Sequence, residues 1–179
     1  RVEPHRPTEA GESIIFINQI KQGAVPAEYV PAVQDGVLDA ATSGPLAGYP
    51  VVNVAVTLLG GKHHPVDSSE IAFARAGAMA FATAVQNASP VFLEPIMRLE
   101  VVLPELYLGA VSGDLNARRA DITDMEHRGK YRKLLARVPL ATMFGYATAL
   151  RSLTQGRGWY SMEPLTYDVA PREVAARLV

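Results

Sequence analysis

The spacing of hydrophobic positions divides the first half of the chain into strand-like and helix-like stretches. Residues 13–17 form a short run of β-favouring side chains, and residues 50–59 alternate as a strand with one better-buried face does. Between them, apolar residues recur at helical spacing over 26–43, and Gly44 marks the predicted end of this helix. Pro31 lies inside this helix and predicts either a kink or a later start. The predicted order is strand, helix, strand.

A long helix is predicted to follow, from Asp67 to Ser89. Asp67 is placed to cap its first turn, and Glu70, three residues later, is placed to reach back to the cap amide as in a capping box. Repeated alanines and Gly77 indicate close approach to a sheet. The large side chains expected to supply its packing are Ile71, Phe73, Met79, Phe81 and Val85.

The second half of the chain predicts the order strand, helix, strand, strand, helix, strand. In its first strand, Met97, Leu99 and Val101 share one face, whereas Arg98 and Glu100 share the other. A β-α-β-β-α-β order is typical of the ferredoxin-like sandwich, an antiparallel sheet with both helices on one face. The predicted elements are 91–104, 105–119, 122–126, 131–138, 140–153 and 158–167, followed by a short helix from Pro171.

Composition limits the range of functions. A chain of 179 residues, 49% hydrophobic and 20% charged, predicts one or two compact globular units. Its net charge of -1 provides no global positive field, so RNA binding would need local patches or a larger parent protein. The absence of cysteine excludes disulfides and thiolate chemistry and fits a reducing compartment. No apolar run is long enough for a membrane span or a signal peptide, so a cytoplasmic protein without a membrane partner is predicted.

Two adjacent histidines stand in the run GGKHHPVDSSE, residues 60–70. In a turn or an extended backbone, the rings of His63 and His64 diverge. The other histidines, His5 and His127, are distant in sequence, which disfavours a zinc site. We therefore assign no metal ligand here.

Catalytic motifs are not found in this sequence. Asp67 and Glu70 could act as acid and base beside the histidines, but helix capping accounts for both carboxylates. Neither GxxxxGK[ST], GxGxxG nor GxSxG occurs, so no phosphate loop and no serine nucleophile is predicted. No catalytic residue is assigned.

Basic and aromatic residues gather in three turns of the second half. One arginine pair closes the helix 105–119, where positive charge complements the helix dipole. Phe-Gly-Tyr at 144–146 begins the next helix, whose N-terminus can receive a phosphate. The turn 150–160 combines guanidinium and aromatic groups that suit phosphate contact and stacking, although a solvated turn is the alternative. The candidates are Arg118, Arg119, Phe144, Gly145, Tyr146, Arg151, Gln155 and Arg157, with Trp159 beside them.

Six runs of this sequence resemble the C-terminal part of bacterial-type translation elongation factor G. They are SGPLAGYPV (43–51), HPVDSSEIAF (64–73), PVFLEPIMRLEV (90–101), GDLNARR (113–119), VPLATMFGYAT (138–148) and LRSLTQGRG (150–158). The resemblance implies an α+β chain of two domains. Residues 1–90 would be domain IV without its N-terminal part, a βαβ unit with a left-handed crossover shared with a ribosomal protein. Residues 91–169 would be the ferredoxin-like domain V, and the helix 170–179 would pack back on domain IV.

The resemblance also implies a function. In the family, an upstream domain that holds GTP and Mg drives translocation of tRNA and mRNA through the ribosome. This fragment would then be no enzyme and hold no cofactor, and it would act as a monomer on rRNA, tRNA and mRNA. By position, Lys62, His63 and His64 would form the tip near tRNA and mRNA, and the candidates of the second half would lie near rRNA. The other tip loop of domain IV would precede Arg1.

Departures from the family pattern leave two alternatives open. Lys62 and His63 replace what are commonly a small and an aromatic residue, and Pro65 replaces a frequent acidic residue. A ribosome-recycling or ribosome-protection paralogue fits these changes. An alternative from another class is a ferredoxin-like regulatory module that binds a small ligand.

Overall fold

The structure is a computed structural model that describes residues 1–6, 12–21, 23–64 and 66–178. It divides into two compact units, one formed by Arg1–Pro90 with the chain end from Ala176, the other by Val91–Ala175. Each unit contains its own β-sheet and helices, so the predicted α+β chain with two sheet-containing domains is confirmed. No helix of the described residues is long and apolar enough to cross a membrane.

The first unit is built on a three-stranded sheet. Its elements are β1 (Val2–Pro4), β2 (Ile14–Asn18), α1 (Val30–Ser43), β3 (Val54–Leu58) and α2 (Glu70–Asn87). The strand order is β1-β3-β2, with β2 parallel and β1 antiparallel to β3. A parallel pair needs a crossover, which α1 supplies. Of the two alternatives for Pro31, the later helix start is confirmed, since Pro31 lies in the first turn of α1, where its missing N–H costs no hydrogen bond.

Helix α2 begins differently from the prediction. Ser69 has an extended backbone, with φ -147° and ψ 159°, and its Oγ accepts a hydrogen bond from the Ala72 N–H at 3.2 Å. Ser69 is therefore the cap, and the assignment of Asp67 and Glu70 as a capping box is wrong. Asp67 stands two residues too early, and Glu70 is the first helical residue rather than the third. The charge of Glu70 still lies at the helix N-terminus, where it is favourable.

Helix α2 approaches helix α1 closely at Ala74 and Gly77. A Cβ on Gly36 of α1 would lie 1.9 Å from the Ala74 carbonyl oxygen, and one on Gly77 would lie 2.7 Å from the Val33 oxygen. Both glycines thus permit backbone contact between the helices. This contact fixes the buried stripe of α2 at every fourth residue, Phe73, Gly77, Phe81 and Val85. The expected core residues Ile71 and Met79 fall off that stripe and are 82% and 64% exposed.

The second unit is a four-stranded antiparallel sheet with the order β5-β6-β4-β7. Its elements are β4 (Leu93–Pro104), α3 (Leu108–Ala117), β5 (Asp121–Arg128), β6 (Tyr131–Pro139), α4 (Tyr146–Leu153), β7 (Trp159–Val169) and α5 (Arg172–Ala175). The predicted β-α-β-β-α-β order and the ferredoxin-like sandwich are confirmed. The helix predicted over 170–179 is shorter in the structure, where α5 covers only Arg172–Ala175. Its packing on the first unit stays a prediction.

The core of the second unit lies between β4 and the two helices. Leu99 and Val101 of β4 are fully buried, as are Val111 of α3 and Leu150 of α4. The helix predicted over 140–153 is interrupted. A 3-10 turn at Leu140–Thr142 comes first, and α4 starts only after Gly145, which adopts φ 75°, a left-handed conformation that ends the turn.

Candidate nucleic-acid interfaces

The residues predicted to form the tip of the first unit lie in the loop between β3 and α2. The side chains of Lys62, His63 and His64 are exposed there, as the sequence predicts for a contact point. The loop packs closely against the protein at Gly61, near its start. A Cβ added to Gly61 would lie 2.6 Å from the side chain of Val25, which is itself buried. The tip is thus a short exposed segment with a packed base. Pro65 lies outside the described residues.

His64 is the histidine that the fold holds in place. Its N–H donates to Ser68 Oγ at 2.8 Å, and the Ser68 N–H donates to the His64 carbonyl at 3.2 Å. Its Nδ1 lies 3.2 Å from Asp67 Oδ2, with the imidazole 67% exposed. His63 and Lys62 form no such side-chain contact within the described residues. Within the described residues, the structure therefore holds His64 by side-chain contacts and does not hold its neighbour His63 in this way.

Arg118 is used inside the second unit. Its Nε donates to Asp114 at 2.8 Å, its Nη1 donates to the Thr142 carbonyl at 2.6 Å, and its guanidinium lies over the Tyr146 ring, 5.2 Å from the centroid. Only 18% of the side chain is exposed. Arg118 joins the end of α3 to the segment before α4, which leaves little of it for a partner.

Tyr146, a candidate for RNA contact, is 1% exposed. Its ring packs edge-on against Tyr160, 5.0 Å between centroids, and burial raises the pKa of its hydroxyl well above the usual range. That hydroxyl has no hydrogen-bond partner among the described groups. The position of Tyr146 indicates a core residue that supports the turn before α4.

Arg119 forms an ion pair with a carboxylate of β4. Its two Nη atoms donate to the two oxygens of Glu94, each at 2.8 Å. Glu94 is only 8% exposed, and the hydrogen bonds to it raise the pKa of the Arg119 guanidinium. The backbone of Arg119 lies in the left-handed region, with φ 61°, and its side chain reaches Glu94 from that conformation. Sequence reasoning missed Glu94, although a carboxylate within an apolar strand signals a buried partner.

The turn between α4 and β7 carries two of the candidates, Gln155 and Arg157, with Arg151 and Trp159 in the elements on either side. Arg157 donates from Nη2 to the hydroxyl of Tyr107 and, at 3.0 Å, to Gln155 Oε1, and its guanidinium lies over the Tyr107 ring. Gln155 has φ 52° and an exposed side chain. Arg151 is exposed on α4 and forms no side-chain hydrogen bond or ion pair within the described residues. Trp159, at the start of β7, is 55% exposed.

Phe144 is the most exposed large hydrophobic residue among the candidates, at 82%. The carbonyls that flank it, those of Thr142 and Phe144 itself, both accept from Arg118, at 2.6 and 3.5 Å. Gly145 follows in the left-handed conformation. An aromatic ring is thereby displayed on a segment whose backbone is held. Phe144 and Arg151 are thus two exposed candidates near α4.

Comparison with known proteins identifies the family. Residues 1–89 match the family model described as elongation factor G, domain IV, and residues 91–178 match the one described as elongation factor G C-terminus. A crystal structure of a protein from Thermus thermophilus is similar over 99% of this chain, with 38% sequence identity and a TM-score of 0.86. The chain spans 26% of the length of that protein. The chain belongs to the elongation factor G family and corresponds to its C-terminal part.

Proposed function

We propose that this chain is the ribosome-contacting C-terminal part of a translational GTPase that promotes translocation of tRNA and mRNA. The observation that carries the proposal is the tip of the first unit, where exposed His64 is held by hydrogen bonds at the entrance to a long helix. GTP and Mg would belong to a domain elsewhere in the parent protein. The chain itself would act by position, as a monomer in the cytoplasm, and not as an enzyme.

In this proposal the two units have different partners. The tip residues Lys62, His63 and His64 contact the backbone of tRNA and mRNA, where donors to phosphate and ribose fix position without reading sequence. Arg151 and Phe144 of the second unit contact rRNA, through phosphate binding and stacking on a base. Family membership and the exposure of these residues support this division.

We expect His64→Ala in the full-length parent to slow translocation while ribosome-stimulated GTP hydrolysis stays near normal. Loss of one hydrogen bond to a charged group, about 1.5–3 kcal/mol, corresponds to a slowing of about tenfold or more. The measurement is rapid kinetics of mRNA movement beside phosphate release in the same ribosome preparation. His63→Ala is the matched control, with a smaller effect because its ring is not held. Unchanged translocation in His64→Ala would refute the tip assignment.

For the second unit we expect Arg151→Ala and Phe144→Ala to weaken ribosome binding of the full-length parent by about fivefold or more each, because one such contact contributes about 1–3 kcal/mol. Both side chains are exposed, so the thermal midpoint of each substituted fragment should stay within a degree or two of that of the unsubstituted fragment. Arg118→Ala should do the reverse, lowering the midpoint because three internal contacts are lost. A binding defect in Arg118→Ala without a change in stability would contradict this separation.

A recycling or protection paralogue is the second candidate, favoured by Lys62 and His63 at the exposed tip. Complementation of a translocation-deficient strain with the intact gene separates the two functions. A dedicated recycling or protection factor would not restore growth.

A further inference from the structure

The contacts of His64 carry an inference that rests on the function proposed above. Asp67 Oδ2 lies 3.2 Å from His64 Nδ1, a distance at which a hydrogen bond forms. A carboxylate can only accept, so a hydrogen bond between these two atoms requires the proton of a neutral imidazole to be on Nδ1. We propose that Asp67 is a positioning residue that fixes the tautomer and ring orientation of His64, so that Nε2 is the nitrogen presented to RNA.

The three residues before α2, Asp67 to Ser69, each make a different contact. Ser69 caps the helix, and Ser68 binds the main chain of His64 from both sides. Neither task needs Asp67, whose carboxylate is then available for the imidazole. These three residues directly precede α2, which is 18 residues long and packs one face in the core. Their backbone is therefore attached to a rigid element. The main chain and the ring of His64 are therefore held separately.

His63 provides an internal reference. Its side chain is exposed and forms no hydrogen bond or ion pair within the described residues. In a neutral imidazole either nitrogen can carry the proton, and the hydrogen bond made by one nitrogen decides which. Adjacent histidines in one loop should thus differ, with a fixed tautomer at His64 and a mixture at His63.

Nitrogen-15 NMR of the 179-residue chain, at a pH where both imidazoles are neutral, tests this difference directly. We expect His64 to carry its proton on Nδ1, Asp67→Ala to convert it to a mixture, and Asp67→Asn to restore it, since an amide oxygen still accepts. Asp39→Ala, which removes an exposed carboxylate of α1, should change neither histidine. A proton on Nε2 of His64 in the unsubstituted chain, or the same tautomer in the unsubstituted chain and in Asp67→Ala, would overturn the proposal.

Folding is not expected to obscure this test. The Asp67 side chain is 79% exposed, and an ion pair at such a site contributes little to stability. Amide exchange across α2 should be equal in Asp67→Ala and the parent.

Translocation by the full-length parent gives the second test. Asp67→Ala should slow it by about two- to fivefold, less than His64→Ala, with Asp67→Asn near the parent rate. In the His64→Ala background, Asp67→Ala should add no further slowing, since its effect passes through the imidazole. An equal slowing in both backgrounds would refute the positioning role. If His64→Ala itself left translocation unchanged, the proposed function would fail, whereas the NMR result would still decide the positioning.

Discussion

Replacing Arg119 with methionine should lower the free energy of unfolding of the second unit by about 2–4 kcal/mol. The substitution leaves the carboxylate of Glu94, which is 8% exposed, buried without its partner. Fully buried pairs cost about 3–5 kcal/mol when one member is removed. The expected value is somewhat lower here, because the Arg119 side chain is 36% exposed and water reaches part of the pair. Denaturant unfolding followed by the fluorescence of Trp159, the single tryptophan, measures the change.

Two further variants isolate the ion pair from the strained backbone. Arg119→Met keeps a Cβ at φ 61°, so backbone strain is the same as in the parent. Arg119→Gly removes that strain and should be about 1 kcal/mol more stable than Arg119→Met. The double variant Glu94→Leu with Arg119→Met should recover most of the loss, since an apolar pair needs no compensation. A parent-like midpoint in Arg119→Met would show that Glu94 does not depend on Arg119.

This pair changes how the arginines of the second unit are interpreted. In the sequence, Arg118, Arg119, Arg151 and Arg157 are equivalent candidates for RNA contact. In the fold, Arg118, Arg119 and Arg157 are hydrogen-bonded to side chains or carbonyls of the same unit, whereas Arg151 is exposed and forms no side-chain hydrogen bond or ion pair within the described residues. Their roles on the ribosome stay predictions, and Arg151, the arginine without an internal side-chain partner among the described residues, is the first to test.

The elements of the fold could be predicted because they depend on neighbours in sequence. Alternation along β4 placed Leu99 and Val101 on the buried face, and the order of elements predicted the ferredoxin-like sheet. The start of α2 shows where this approach stops. Asp67, Ser68 and Ser69 are all good cap residues, and the choice of Ser69 depends on which backbone becomes extended.

Contacts between distant residues could not be predicted in the same way. Arg119 and Glu94 are 25 residues apart, and no local pattern links them. The buried side of helix α2 could not be predicted either. Its apolar residues surround much of the helix, so periodicity alone does not show which side is buried. The glycine contacts with α1 make that choice, and they leave Ile71 and Met79 in solvent.

Replacing Gly36 with alanine should therefore destabilise the first unit by about 3 kcal/mol or more, the upper end for overpacking. The new Cβ would lie 1.9 Å from the Ala74 carbonyl oxygen and 2.6 Å from its carbon, and these are backbone atoms that cannot rotate away. Either α1 and α2 separate, which uncovers the stripe at Phe73 and Phe81, or the helices distort. Amide exchange of α1 and α2 should accelerate by about a hundredfold if the unit opens globally.

Gly113→Ala is the matched control for this prediction. Gly113 lies in the exposed face of α3, and no atom comes within 4 Å of a Cβ added there. The same substitution should stabilise the second unit by about 0.5–1 kcal/mol, because alanine loses less backbone entropy in a helix. Opposite signs at the two glycines would separate close packing from helix propensity. If Gly36→Ala were also stabilising, the two helices could not approach as closely as this contact requires, and the buried stripe of α2 would need another cause.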